Sequence, residues 1–109
     1  GCLQMIFKPW MRRNYGAKQF GMDVNYIIDH LDPIYKDRIE HPDKWQERKI
    51  NSLKKLLADD KDYILKNPPK LVLNSSREIF RVDDGVSRIV LCKQIGIGKI
   101  LVIVRIGDY

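Results

Sequence analysis

Arginines stand among apolar residues in the last third of the chain, and this placement suggests a role in binding anions. Arg81 and Arg88 lie seven positions apart in the run from Phe80 to Leu91, and Arg105 lies in the run from Ile100 to Tyr109. A guanidinium in the core of a strand is costly to bury without a partner. Each arginine therefore either pairs with a carboxylate or lines an exposed face that meets an anion.

The order of residues in this region resembles that of small bacterial toxins of the RelE/ParE superfamily. In that family an aromatic–Arg pair begins a strand, a Gly turn follows, a second Arg opens the next strand, and an apolar β-rich run ends near a Gly. Phe80-Arg81, Gly85, Arg88 and the run from Ile100 to Gly107 stand in this order. The resemblance is clearest over residues 70–109.

The resemblance implies the toxin of a toxin–antitoxin system, acting as a metal-independent endoribonuclease on messenger RNA. Cleavage by the ribose 2′-OH needs a base, a proton donor for the leaving oxygen and fixed positive charge for the phosphorane. By position, Arg88 resembles the family's strand arginine that stabilises the transition state, and Arg81 resembles the basic residue of the preceding strand. Tyr109 can stand in for the family's functional tyrosine.

The same resemblance implies the partners. The partners are RNA, the ribosome and a cognate antitoxin. The acidic and apolar residues of the antitoxin would cover the basic face of the toxin. The chain is therefore expected to be a monomer or to form a hetero-oligomer with its antitoxin. No cofactor and no metal are expected.

Two acidic residues depart from the family pattern. Asp83 stands where many members have a second basic residue, and Asp108 stands where a basic residue often follows the last Gly. Their presence favours two alternatives: the ParE branch, which inhibits DNA gyrase and does not cut RNA, or a catalytically inactive binding or accessory protein. His30 and His41 are further candidates for a general base, because imidazole titrates near neutral pH.

The net charge of +6 is concentrated at the two ends of the chain. Residues 1–21 hold four basic residues and no acid, residues 22–67 hold nine basic and ten acidic residues, and residues 68–109 hold seven basic and four acidic residues. If both ends share one sheet, they form a patch suited to a polyanion; otherwise the charge only promotes solubility. The candidate nucleic-acid contacts are Arg12, Arg13, Lys18, Arg77, Lys93 and Arg105.

The spacing of apolar and turn-forming residues in the first two thirds of the chain predicts one strand followed by helices. We expect a strand at Leu3–Phe7 and a loop over residues 12–21. Asp23 can cap a helix that is interrupted at Asp32-Pro33, and a second helix is expected to start at His41-Pro42. Its predicted apolar face consists of Trp45, Ile50, Leu53, Leu56 and Leu57.

After a short helix near residues 63–65 and a stop at Asn67-Pro68-Pro69, the pattern becomes extended. Strands are predicted at Leu71–Leu73, Ile79–Val82 and Arg88–Lys93, with a tight hairpin turn at Asp84-Gly85. Ile100–Ile106 is predicted as a central strand covered on both faces. The predicted fold class is therefore α+β: an N-terminal strand, two to three helices and an antiparallel β-meander, as in the RelE/ParE-like fold.

Composition is typical of a single globular domain spanning residues 1–109. The chain is 44% hydrophobic and 31% charged, and no apolar run approaches the ~20 residues that span a bilayer. Cys2 and Cys92 form no CxxC motif and have no metal-ligand spacing. We interpret them as reduced thiols of a cytoplasmic protein, with Cys92 in the core.

Overall fold

The structure is a computed structural model that describes residues 8–11, 16–74 and 76–107. These residues form four strands and five α-helices, after a 3-10 turn at Pro9–Met11. The strands are β1 (Lys18–Asp23), β2 (Lys70–Asn74), β3 (Ile79–Asp84) and β4 (Lys99–Ile106). The helices are α1 (Val24–Asp29), α2 (Pro33–Glu40), α3 (Lys44–Asp59), α4 (Tyr63–Lys66) and α5 (Val86–Gln94). The strand predicted at Leu3–Phe7 lies outside the described residues.

The strands form one mixed sheet in the order β1-β4-β2-β3. β4 is antiparallel to β1 and parallel to β2, while β2 and β3 form an antiparallel pair. The α+β class is therefore confirmed, but the predicted antiparallel meander is wrong. β4 follows β3 along the chain but pairs with β1 and β2, because α5 intervenes and carries the chain across the sheet.

α5 replaces the strand predicted at Arg88–Lys93. β-branched residues in this segment favour a strand locally, but four consecutive side chains, Ile89 to Cys92, are buried in the core cluster. A helix that is buried on most sides can place four consecutive side chains in the core. Tertiary packing therefore overrides the local preference of these residues for a strand. Gly85 does adopt the positive φ expected at Asp84-Gly85, at 111°, but it starts a helix and does not close a hairpin.

The helices between β1 and β2 begin and end close to the positions predicted from the sequence. Asp32 caps α2 by accepting a hydrogen bond from the Ile34 N–H at 3.2 Å, with Pro33 in the first turn as expected. The next helix begins slightly later than predicted, because Asp43 caps α3 by accepting from the Gln46 N–H at 2.7 Å. The predicted loop over residues 12–21 is wrong for residues 18–21, which form the first part of β1, and Phe20 and Met22 of this strand pack against the core.

The core lies between one face of the sheet and the helices. β4 contributes Ile100, Val102 and Val104 to it, whereas Leu101 and Ile103 on the opposite face are only partly buried. β4 is therefore central, as predicted, but it is not fully covered on both faces. Within the described ranges, no helix has the length and apolar character needed to cross a membrane.

Part of the predicted apolar face of α3 points to solvent. Ile50 is buried, and Leu53 and Leu57 pack against the core, but Leu56 is 42% exposed and Trp45 is 60% exposed. The exposed Trp45 borders a cavity, described next.

Candidate functional site

The junction between β3 and α5 is a sharp turn that only glycine fits. Gly85 has φ 111°, and a Cβ built on it would lie 3.0 Å from both Cα and Cβ of Pro69 and 3.1 Å from Arg88 Nη1. A residue with a side chain would face both the unfavourable backbone conformation and these contacts. The glycine thus allows β3 to pass directly into α5.

The N-terminus of α5 has no side chain to cap it, because its capping residue is Gly85. α2 and α3 are capped by the aspartates Asp32 and Asp43. The first N–H groups of any α-helix lack an intrahelical partner, and they carry the positive end of the helix dipole. The start of α5 therefore offers backbone donors to an anion.

A cavity of about 400 Å³, which we call the α5 pocket, opens at this helix end. Residues 82–88 of the β3–α5 junction form one side of it. α2 and α3 form the other sides, through Tyr35, Arg38, Trp45, Gln46, Lys49 and Leu53. The pocket is large enough for a small organic ligand and not only for an inorganic ion.

Three cationic side chains line the α5 pocket. Arg88 is only 18% exposed, and its Nη2 lies 3.6 Å from Oδ2 of Asp84, a carboxylate that is itself 61% exposed. The Arg38 guanidinium lies 5.5 Å from the ring centre of Tyr35, and Lys49 Nζ lies 3.8 Å from that of Trp45. Asp83 and Asp84 offset part of this charge but leave an excess of one positive charge around the pocket.

A partly buried hydrogen bond links α3 to the start of α5. Gln46, one of the buried polar residues, donates from Nε2 to Oγ of Ser87 in the first turn of α5. A hydroxyl that accepts from an amide keeps its own proton for another acceptor. In the described part of the chain, the Ser87 hydroxyl has no protein acceptor for that proton.

Two smaller cavities adjoin the α5 pocket. One, of about 280 Å³, is lined by Arg81 and Arg105, and we call it the arginine pocket; it shares Tyr35, Val82 and Asp83 with the α5 pocket. The other, of about 220 Å³, is the His41 pocket. It shares Arg38, Trp45 and Gln46 with the α5 pocket and adds His41 and Asp43.

The structure separates the two arginines on which the sequence reasoning centred. Arg88 lies on a helix in the α5 pocket, not on a strand, and Arg81 lies on β3 in the arginine pocket with Arg105. Asp83, which lies between them in sequence, borders both pockets.

The other residues that were predicted to contact nucleic acid lie on different parts of the structure. Lys18 pairs with Val104 and so lies on the sheet face opposite Arg105. Arg77 is exposed in the β2–β3 turn, and Lys93 Nζ donates to Asn25 Oδ1 at 2.9 Å near the end of α5. The two ends of the chain therefore do not form the single patch that the charge distribution suggested, as far as the described residues show. Arg12, Arg13 and Tyr109 lie outside the described residues.

Sequence reasoning missed the residues of α2 and α3 that complete the pocket. Arg38, Gln46 and Lys49 come from a region that reads as ordinary amphipathic helix, and Trp45 was assigned to its apolar face. One signal could have identified the site: a glycine that follows a strand and precedes Ser87-Arg88 is compatible with a strand–helix anion site as well as with a hairpin.

A separate cluster around Tyr26 holds the segment at residues 8–11. The Tyr26 hydroxyl donates to Glu78 Oε1 at 2.5 Å, and Lys8 Nζ lies 2.6 Å from the same oxygen. Burial, together with the bond to Glu78, raises the pKa of Tyr26 to about 12, while Lys8 and Tyr26 lower the pKa of Glu78. His30 stacks on Tyr26 with ring centres 4.1 Å apart, and Trp10 packs against both Tyr26 and Phe20. This cluster borders none of the three pockets and serves to anchor the chain.

Cys92 is a buried thiol, as predicted, and burial raises its pKa to about 11.

Comparison of the chain with protein-family models, with curated proteins and with solved structures gives no match. The geometry of the α5 pocket is therefore the basis on which a function can be inferred.

Proposed function

We propose that the α5 pocket binds the phosphate group of a nucleotide. The observation that carries the proposal is the start of α5: a helix N-terminus with a glycine in place of a capping side chain, opening into a cavity that Arg88, Arg38 and Lys49 line. Backbone N–H groups and the helix dipole favour a dianion there, and an arginine adds a planar fork that matches phosphate oxygens.

The size and lining of the pocket support a nucleotide over inorganic phosphate. A volume of about 400 Å³ leaves room beyond the phosphate for a sugar and part of a base. Trp45, which is 60% exposed at the rim, offers a flat face for stacking. The nucleotide can be a free molecule or one unit of an RNA chain, because both present the same phosphate and base.

A binding measurement tests this proposal. We expect calorimetric titration to show that uridine 5′-monophosphate binds and that uridine does not. Arg88→Ala should weaken binding about tenfold or more, since hydrogen bonds to charged groups contribute about 1.5–3 kcal/mol. Lys93→Ala is the matched control, because Lys93 lies near the other end of α5 and contacts Asn25. Equal affinity for nucleotide and nucleoside contradicts the proposal.

The RNA-cleaving toxin is a second candidate, and the His41 pocket favours it. Arg88 can hold phosphate charge but is a poor proton acceptor, so cleavage needs a separate base. His41 lines a cavity that shares three residues with the α5 pocket, and imidazole is the common base near neutral pH. In this proposal His41 takes the proton of the 2′-OH as that oxygen attacks the phosphorus, and Arg88 stabilises the phosphorane. The bond to the 5′-oxygen then breaks, that oxygen takes a proton from water, and a 2′,3′-cyclic phosphate remains.

Inducible expression in bacteria, with messenger RNA 5′ ends mapped over time, tests the second candidate. New 5′ ends that vanish with Arg88→Ala and with His41→Ala support it. Intact RNA with arrested growth and damaged DNA instead supports the gyrase-inhibiting alternative, and unimpaired growth removes the toxin hypothesis. The cognate antitoxin and the ribosome stay predictions tied to the first of these outcomes.

A further inference from the structure

A fourth cavity, of about 360 Å³, shares no lining residue with the three pockets described above. It lies where the α5–β4 turn and the start of β4 meet the short helix α4. Lys61 and Lys99 are the charged residues of its lining, so we call it the lysine pocket. Its volume lies within the range that small-molecule ligands occupy.

The walls of the lysine pocket are aliphatic. Ile64 of α4 and Ile100 of β4 are buried, and Leu101 is partly buried. Leu65 and Ile97 present much more of their surface to water, at 54% and 37% exposed. A ligand that covers these two side chains removes apolar surface from water, which favours binding.

Two backbone hydrogen bonds fix the wall that Ile97 forms. The Ile97 N–H donates to the Cys92 carbonyl in α5 at 2.9 Å, and the Val24 N–H donates to the Gly98 carbonyl at 2.9 Å. These bonds tie the α5–β4 turn to α5 on one side and to the start of α1 on the other. The exposed Ile97 is therefore already held in place, and a ligand need not order this segment in order to bind.

The Lys99 side chain lies over Gly21 of β1. A Cβ at position 21 would lie 3.2 Å from Lys99 Cε and 3.9 Å from its Nζ, so the glycine leaves space for the lysine stem. Asp23 is the register partner of Lys99 on β1, but it does not line the pocket. The ammonium group thus lies beside Gly21, at the wall of the pocket.

The lysine pocket carries two positive charges and, among the described residues, its lining holds no acidic one. In the part of the chain that the structure describes, neither Lys61 nor Lys99 forms an ion pair. Asp62 follows Lys61 in the chain but lies outside the lining, and Asp60 accepts from Lys66 Nζ at 3.0 Å. Both ammonium groups are therefore available to an anion.

The chemistry of the lining selects the kind of ligand. Apart from the two ammonium groups, the lining side chains are aliphatic and carry no atom that forms hydrogen bonds. A sugar, a base or a peptide would find few partners there for its polar groups, which is unfavourable. A molecule with one anionic end and an aliphatic body matches both parts of the lining.

We propose that the lysine pocket binds a medium-chain fatty acid. Its carboxylate lies at Lys61 and Lys99, and its alkyl chain covers Leu65 and Ile97. This site is separate from the phosphate site of the α5 pocket and does not depend on it.

Calorimetric titration with hexanoate, octanoate and octanol tests the proposal. We expect affinity to rise about two- to fourfold for each methylene added between hexanoate and octanoate. Fourfold corresponds to the full burial of a methylene, about 0.8 kcal/mol, and the exposed wall lowers this gain. Octanol is the more apolar molecule, yet it should bind about tenfold more weakly than octanoate, because it lacks the charge that the lysines recognise.

Lys61→Met and Lys99→Met keep an aliphatic stem and remove the charge. Each should weaken octanoate binding about three- to fivefold, as expected for an exposed ion pair, and the double variant should bind octanoate no better than octanol. Lys54→Met is the matched control, since Lys54 is exposed on α3 and lines none of the four pockets. All three lysines are exposed, so thermal melts of the variants should match that of the unchanged chain.

The outcomes separate this site from the α5 pocket. Equal affinity for octanoate and octanol, or an affinity that does not change with chain length, would overturn the proposal. Loss of octanoate binding in Arg88→Ala would also overturn it, because the carboxylate would then occupy the α5 pocket. Binding to phosphatidylglycerol vesicles without binding of octanoate would identify a membrane contact instead. Lys99→Met should leave the affinity for uridine 5′-monophosphate unchanged, so the failure of one proposal does not affect the other.

Discussion

Gln46→Glu is a nearly isosteric change that should convert the α5 pocket from binding anions to rejecting them. The Gln46 amide donates to Ser87 Oγ, so the Ser87 hydroxyl keeps its own proton to donate to an anion bound in the α5 pocket. A carboxylate at the same place would accept the Ser87 proton and place a negative charge beside the start of α5. The hydroxyl would then no longer donate to the phosphate.

The size of the effect follows from the geometry. If Ser87 lies between the introduced carboxylate and the ligand, two hydrogen bonds separate their charges, which is about 5.5 Å. Two unit charges at that distance repel by about 3 kcal/mol at an effective dielectric constant of about 20, so this value is the minimum for a dianion. Because Gln46 is only 6% exposed, solvent screens this repulsion weakly. Affinity should therefore fall about 100-fold at neutral pH.

Sulfate is the best probe for this experiment, because it stays a dianion across the pH range in which a carboxyl group titrates. We expect calorimetry at pH 7 to show the loss of affinity for the Gln46→Glu variant. As the pH falls through the pKa of the introduced carboxyl group, that group becomes neutral and the affinity should recover. The unchanged chain, titrated over the same pH range, gives the baseline.

Gln46→Met is the matched control, since it removes the hydrogen bond without adding charge. It should weaken sulfate binding only a few-fold and should not introduce a pH-dependent recovery. Sulfate affinity in Gln46→Glu equal to that of the unchanged chain would refute the assigned direction of the Gln46–Ser87 hydrogen bond and the placement of the anion. A loss that does not depend on pH would show damage to the fold instead, which a thermal melt detects.

Three further changes test other parts of the structure. Gly85→Ala should lower the free energy of unfolding by about 2–3 kcal/mol, from the left-handed backbone and the close contacts of the new Cβ; a denaturant titration showing less than about 0.5 kcal/mol contradicts this. The pKa of Glu78 is lowered by Lys8 and Tyr26, so its contribution to stability is present above its unfolded pKa and is lost as the pH falls through its folded pKa. Glu78→Gln should therefore flatten the acid-unfolding curve below about pH 4, and an unchanged curve would refute the role of this cluster. Trp45→Ala should leave the melting temperature nearly unchanged, because Trp45 is 60% exposed, but weaken nucleotide binding about fivefold through lost stacking; unchanged affinity would exclude stacking at this rim.

Much of the fold could be predicted from local signals. Asp32-Pro33 marked the boundary between two helices because an aspartate caps and a proline fits the first turn. Asn67-Pro68-Pro69 marked the change from helix to sheet, and the central position of β4 followed from its apolar run. These features depend on residues that are close together in the chain.

The rest depended on contacts between distant segments. Whether Gly85 closes a hairpin or starts a helix is decided by the packing of Ile89 to Cys92 against the other helices, which short-range patterns do not encode. That one difference changes the strand order and moves Arg88 from a strand to a pocket. Arg81 and Arg105 line the same cavity because each is paired with Val72 of β2, and nothing in the sequence around either residue predicts that arrangement.

The most direct test of the phosphate site is a nuclear magnetic resonance titration of the ¹⁵N-labelled chain with uridine 5′-monophosphate. The largest chemical shift changes should fall on the backbone amides of Val86, Ser87 and Arg88, at the start of α5, with the Trp45 indole also affected. Uridine at the same concentrations should leave these amides unchanged. Changes confined to other parts of the surface, or equal changes with the nucleoside, would contradict binding of a phosphate at this helix.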